Sequence, residues 1–399
     1  MKIKTYKKIF NPFLYFFKSE ASSGVILLIC AIAAMVIANS DLASSYDHIL
    51  HRYITIGYRE LSLSMSVLHW INDGLMAIFF FVVGMEIKRE VAIGELKSIK
   101  KTILPVAAAV GGMIVPAIIY MVFNYNEATI TGWGIPMATD IAFALGVLSL
   151  VGKNAPKGIL IFLTALAIVD DLGAIIVIAV FYTSQISKVA LIAALIVLGL
   201  LILANKLKVK STAVFVIGGI ILWIAVLKSG IHATIAGVLL GMVIPAGKNI
   251  NEFKNSMLYK LEHTLTPYSA FVIMPIFALA NSGVAIDIKS FLTVISAPVS
   301  LGIIFGLFIG KQVGVFGVSY LLVKFKIAKL PSQVTKKHLY GASVLAGIGF
   351  TMSLFVASLS FVDETILSTA KISIILASLL SAILGMVIFK FSKPESRKR

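Results

Sequence analysis

Residues 158–182 form an apolar run of twenty-five residues whose only charges, Asp170 and Asp171, lie at its centre. About 20 apolar residues in a helix cross the hydrocarbon core of a bilayer. Water is not available there to satisfy backbone N–H and C=O groups, so such a run must be helical. Eleven more apolar runs lie near 22–39, 66–87, 102–123, 133–151, 188–205, 212–227, 230–246, 267–286, 297–323, 338–360 and 366–390. Charged residues make up only 13% of the chain, about half the share in soluble domains. The expected fold is therefore an all-α polytopic membrane protein, one domain over residues 1–399 with twelve transmembrane helices. The first run ends at Ala38-Asn39-Ser40, like a signal peptide, but the eleven runs behind it favour an uncleaved first helix.

The net charge of +17 would suggest nucleic acid in a soluble protein. Here 28 of the 35 lysines and arginines fall in the alternate segments 1–21, 88–101, 152–158, 206–210, 247–262, 324–337 and 390–399. The intervening loops carry only Arg52, Arg59, Lys188, Lys228 and Lys289, while Lys311 and Lys371 lie within runs. Basic residues accumulate on the cytoplasmic side of membrane proteins. Both the N-terminal segment 1–21 and the basic tail 390–399 are thus expected in the cytoplasm, with no nucleic-acid partner. Cys30 is the only cysteine, which excludes a disulfide framework. The outer loop 47–64 alternates weakly around Gly57 and reads either as a small β-hairpin, able to pair with a second copy, or as an irregular loop.

Charges at the centre of a span cost roughly 2.5–3.5 kcal/mol each and mark function. Asp170 and Asp171 on one run, Asp140 on a second and Lys311 on a third lie near the middle of their spans. Adjacent helical residues point about 100° apart, so Asp170 and Asp171 cannot face one partner equally. One is expected to hold an ion while the other meets Lys311. Two neighbouring carboxylates in low dielectric repel, so the pair can hold protons or a hard cation, each excluding the other. Three aspartates against one lysine leave a formal −2, which suits a cation and argues against an anion. If both charges are neutralised by protons on the return stroke, more than one H⁺ moves per monovalent cation.

Poor helix formers sit at the same depth. Gly132-Trp133-Gly134-Ile135-Pro136 precedes Asp140, and Gly347-Ile348-Gly349 interrupts the run 338–360. Unwound backbone at membrane depth survives only where protein or water satisfies it, and paired broken helices facing a central site are a transporter device. The freed carbonyls and the hydroxyls of Thr139 and Thr351 are oxygen donors of the kind hard cations take. Asp73, toward the outer end of its run, is either structural or lines an outer passage. His232 reads more readily as a packed or capping histidine than as a proton relay.

Seven motifs in order, Trp70-Ile71-Asn72-Asp73, Gly84-Met85-Glu86-Ile87-Lys88-Arg89-Glu90, Ala138-Thr139-Asp140-Ile141-Ala142-Phe143-Ala144, Ala167-Ile168-Val169-Asp170-Asp171-Leu172-Gly173-Ala174, Leu227-Lys228-Ser229-Gly230-Ile231-His232-Ala233-Thr234, Ile309-Gly310-Lys311 and Gly347-Ile348-Gly349-Phe350-Thr351-Met352-Ser353, resemble the bacterial NhaA Na⁺/H⁺ antiporters, over about residues 16–390. The resemblance implies that Asp171 is the main Na⁺ or Li⁺ ligand, with Asp170 completing the metal site and exchanging a salt bridge with Lys311. Asp140 would compensate the positive ends of two broken helices, spans 4 and 11, that cross between inverted repeats formed by helices three to five and ten to twelve; Thr139 would stand beside the ion path. Glu86, Arg89, Glu90, Glu262 and His263 would line a pH-sensing cytoplasmic funnel, although without the resemblance Glu86, Arg89 and Glu90 read as an ordinary charged helix end. Some members carry a second histidine where this chain has Thr266. Exchange would be electrogenic, activated at alkaline pH, and serve pH and sodium homeostasis at the bacterial inner membrane. The partners would be Na⁺, Li⁺, H⁺, membrane lipid and a second copy docked through 47–64, with no cofactor.

Rival classes fit less well. Asp170-Asp171-Leu172-Gly173-Ala174 lacks the third acid and second motif of membrane prenyltransferases, and none of these aspartates follows the Gly-x-Gly of intramembrane aspartyl proteases. A Na⁺-coupled symporter of an organic solute is the alternative transporter. A channel suits passive flow, whereas titratable carboxylates opposite a lysine suit exchange.

Overall fold

The computed structural model describes residues 20–57, 62–94, 99–151, 155–183, 186–247, 250–287, 289, 291–331 and 333–392. The expected N-terminal segment (up to residue 19), the tip of the 47–64 loop (58–61) and most of the basic tail (393–399) lie outside them. Among the described residues, eight helices are long and apolar enough to cross a bilayer: Val67–Ala92, Thr102–Phe123, Lys157–Phe181, Lys188–Lys206, Thr212–Ser229, Met257–Asn281, Pro298–Lys324 and Glu364–Phe391. Three more spans are bent pairs. Ser22–Ala38 and Ala43–His51 meet at 112°, Ala128–Met137 and Ile141–Val151 at 45°, and Lys336–Leu345 and Phe350–Ser360 at 41°.

Two of these bends fall where glycine and proline break the apolar runs. Ala128–Met137 winds as a 3₁₀ helix with Pro136 inside it, and Thr139 and Asp140 lie in the gap before Ile141. Residues 346–349 separate Lys336–Leu345 from Phe350–Ser360. The first bend was unforeseen: the chain turns sharply after Ala38 into the polar helix Ala43–His51. Tyr46 on that helix donates to the carbonyl of Leu279 at 2.6 Å, fastening it to the end of Met257–Asn281.

Two spans differ from the hydropathy reading. The run 230–246 holds only Thr234–Val243, ten residues, about 15 Å long and too short to cross alone. Gly230, at φ 84°, ends the preceding helix in the left-handed conformation, and Pro245 follows. The span expected from 267 begins ten residues earlier, at Met257. Its first three turns are polar, so an apolar window misses them, and Pro267 sits inside the helix next to a π-helical turn, Ser269–Ile273. Glu262 and His263 therefore stand on a helix rather than a loop.

The short helix is bound to Val67–Ala92 by backbone contact: a Cβ at Gly84 would stand 2.6 Å from the carbonyl oxygen of Val238, and one at Gly241 2.6 Å from that of Phe81. In the loop between the first two spans, Tyr53–Ile56 pairs antiparallel with Leu63–Ser66, Tyr53 opposite Ser66. Val189, Leu195, Leu200, Ile217 and Ile220 are exposed on neighbouring helices. Exposed apolar side chains in such number suit lipid.

Candidate functional site

The two broken spans meet at Asp140, which is 1% exposed. Its carbonyl accepts from Ala144 N–H and its Oδ1 from Phe143 N–H at 2.9 Å, so it caps Ile141–Val151. Its Oδ2 accepts from the Thr351 N–H at 3.1 Å and from the Thr351 hydroxyl, at the start of Phe350–Ser360. One carboxylate thus satisfies the N-termini of two half-helices, where the peptide dipoles concentrate positive charge. The Asp140 N–H donates to the Ile348 carbonyl at 2.7 Å, and Ser353 Oγ to the Ile135 carbonyl at 2.8 Å. Thr351 is committed to this crossing.

Lys157–Phe181 passes beside the crossing and presents Asp170 and Asp171. Lys311 donates to Asp170 Oδ2 at 2.6 Å, and both side chains are fully buried. Lys311 stands between two π-helical stretches, Gly306–Gly310 and Gln312–Phe316, on Pro298–Lys324. Such stretches are rare and often occur at functional sites. Thr139 Oγ1 lies 2.7 Å from Asp170 Oδ2 and 2.9 Å from the Ala346 carbonyl, and its single proton serves one acceptor at a time. The remaining oxygen of Asp170, Oδ1, has no hydrogen-bond partner among the described residues, and neither has Asp171 Oδ1. Asp171 lies within electrostatic reach of Asp170, Glu86, Asp140 and Lys311. A buried carboxylate without donors is expensive as an anion, and binding a proton or a hard cation removes that cost.

Glu86, Arg89, Glu262 and His263 line one cavity of about 280 Å³. Arg89 bridges two acids, donating to Glu90 Oε1 at 3.1 Å and to Glu262, while His263 stacks on Tyr259. Thr266 spends its hydroxyl on the Glu262 carbonyl. Asp73 faces His232 and Trp223. Its Oδ1 is 3.6 Å from His232 Nε2, and its carbonyl accepts from Trp223 Nε1 at 3.1 Å.

Sequence reasoning overlooked two sets of groups. Ser378, on Glu364–Phe391, accepts from Phe350 N–H at 3.1 Å, a second cap from a third helix. Lys88 donates to the carbonyls of Met242 and Ile244, and Asn205 to that of Val243, closing the end of the short helix. Ser378 is one of several serines in its run, and nothing in the sequence ranks it above the others. For Lys88 the sequence offers only the basic-residue bias and its place in the Gly84–Glu90 motif, neither of which points to these carbonyls.

Residues 15–389 match the family model described as Na+/H+ antiporter 1. The chain is 70% identical to Na(+)/H(+) antiporter NhaA 1 of Clostridium beijerinckii over the whole of both chains. It is 51% identical to a Pelagibacter ubique Na(+)/H(+) antiporter NhaA, covering 98% of this chain and 100% of that one. The Vibrio cholerae Na(+)/H(+) antiporter NhaA is 47% identical, with 95% and 97% covered. The chain is a multi-pass membrane protein that belongs to the Na⁺/H⁺ antiporter 1 family.

Proposed function

We propose that the protein is an electrogenic secondary antiporter exchanging cytoplasmic Na⁺ or Li⁺ for external H⁺, by competition of the two ions for Asp170 and Asp171, in the service of pH and sodium homeostasis. The observation that carries this reading is the buried Asp171 carboxyl, without a hydrogen-bond partner on Oδ1, beside an Asp170 that Lys311 and Thr139 satisfy on one oxygen only. A hard cation gathers several oxygens, and the two carboxyls with the Thr139 hydroxyl supply such a set. Seating the cation between them draws Asp170 away from Lys311. A buried ammonium left unpaired is costly, so it either sheds its proton or is paired again on the return stroke. Together with the proton displaced from Asp171, the first route moves two protons per Na⁺.

In this reading Asp140 holds the crossing rather than the ion, and Thr351 acts through Asp140. Glu86, Arg89, Glu90, Glu262 and His263 form the cytoplasmic entry and sense pH; Asp73 belongs to the outer passage. Twelve membrane passages, with the short helix as one of them, would leave both termini in the cytoplasm of a bacterial inner-membrane protein, its third to fifth and tenth to twelfth helices forming inverted repeats. The strands Tyr53–Ile56 and Leu63–Ser66 pair only with each other among the described residues, and their outer edges suit a homodimer.

In everted vesicles holding a pH gradient, Na⁺ or Li⁺ is expected to dequench a pH dye, and Asp171→Asn to abolish the response. Uptake that depends on an organic solute would instead favour the Na⁺-coupled symporter. Lys311→Gln with electrogenic exchange retained would remove Lys311 as a proton carrier and leave it a counter-ion.

A further inference from the structure

A cavity of about 460 Å³ opens at the other end of the bundle's second broken span, lined by Lys336 and Lys337 and by Phe316, Tyr340, Val387 and Phe391. We propose that it is a binding site for an anionic phospholipid, with the phosphate on Lys336 and Lys337 and an acyl chain along the 364–391 helix.

Four observations support this. Among the described residues, the two lysines are the only charged side chains lining the cavity. No aspartate or glutamate occurs between Asp287 and Asp363, whereas 324–337 carries five lysines; that segment is basic without compensation. Both lysines occupy the first turn of Lys336–Leu345, behind a Thr335–His338 capping box. Cations oppose the helix dipole there, and an anion relieves the conflict.

Depth supplies the last observation. Lys336 Nζ lies 4.9 Å from the centre of the Tyr320 ring, Phe316 stacks on Tyr320, and Phe316 meets Tyr340 edge-on at 5.4 Å. Interfacial tyrosines beside lysines mark the level of lipid headgroups. Val387 and Phe391, exposed on the same side, continue toward the hydrocarbon. Basic pockets between helices on the cytoplasmic side take anionic headgroups. The inference rests on the inward placement of 324–337, not on the ion exchanged.

The test is native mass spectrometry of the full-length protein in detergent, titrated with phosphatidylglycerol or phosphatidylcholine. Each lysine near a membrane surface contributes about fivefold to affinity for anionic lipid. Lys336→Gln with Lys337→Gln is expected to weaken phosphatidylglycerol binding roughly 25-fold and leave phosphatidylcholine binding alone. Should that double variant be unstable, Lys337→Glu alone serves, with a loss of at least fivefold. Unchanged phosphatidylglycerol binding in the variant, or equal binding of both lipids to the unaltered protein, overturns the proposal. Displacement of the lipid by inorganic phosphate overturns it in favour of a small-anion site. Binding in detergent requires no transport, so this result is independent of the vesicle assay.

Discussion

Asp140 and Asp171 are both aspartates and both buried, one in the gap of a broken span and one on an intact helix, and their surroundings are opposite. Asp140 has both oxygens filled by donors from two half-helices. Asp171 has a buried oxygen that no described donor reaches, and its neighbour Asp170 is satisfied on one side only. A carboxylate enclosed by backbone N–H groups is held as a fixed counter-charge to the helix ends. One placed on an unbroken helix, whose N–H groups are already spent, has nothing local to bind and stays available to an exchangeable ion. The broken helices thus consume one carboxylate so that the intact one can offer another.

Replacing each residue tests the contrast. The largest effect is expected for Asp171→Asn. Transport should vanish while the protein stays folded, because a protonated carboxyl and an amide are both neutral and nearly equal in size, and the amide has no proton to exchange for Na⁺. Na⁺ at a hundred times its dissociation constant should stabilise the unaltered protein by about 2.7 kcal/mol and this variant not at all, as read by thermal unfolding with and without Na⁺. Equal stabilisation of both would break the comparison.

Asp140→Ala should show the reverse pattern. It strands the N–H groups of Phe143 and Thr351 and costs about 3 kcal/mol of stability, at roughly 1–3 kcal/mol for each buried donor. Transport should fall because the protein is loosened. Asp140→Asn keeps an acceptor oxygen and should recover about half of that loss. If Asp140→Ala instead left stability intact and abolished Na⁺ stabilisation, Asp140 would be a ligand.

Ser378→Ala sharpens the point at a smaller scale. It leaves Phe350 N–H unpaired, for a loss of about 1 kcal/mol, with no change in half-saturation by Na⁺ in the vesicle assay. The smallest effect belongs to Asp363, an exposed carboxylate capping Glu364–Phe391. The N–H groups of Ile366 and Thr365 hold its pKa below the usual range. A depressed folded pKa gives stability that is present above the unfolded value, about 3.9, and lost as pH falls through the folded one. Asp363→Ala should therefore lower the unfolding temperature slightly near neutral pH and converge with the parent protein only as the pH falls through the depressed folded value.

Much of the site could be read along the chain. Lys311, Asp140 and the Asp170–Asp171 pair stand out because each lies within an apolar run, where a charge is costly. Glycine and proline near 132–136 and 347–349 located both breaks, since backbone that cannot hold a helix shows in composition. The start of Met257–Asn281 did not show, because its first turns are polar and its proline lies inside the helix. Nor did Ser378, whose role depends on a helix that approaches Phe350 only in three dimensions.

Hydropathy and spacing by themselves determined that the chain is a helical membrane protein, that three of its runs carry charge near their centres, and that consecutive aspartates must point different ways; these are local consequences of the cost of burying charge and of 3.6 residues per helical turn. Only the tertiary structure decided which aspartate meets Lys311, that Asp140 rather than an ion occupies Thr351, and that Asp171 keeps a buried oxygen unmatched. Those outcomes depend on which donors neighbouring helices bring within about 3 Å, a distance that order along the chain does not encode.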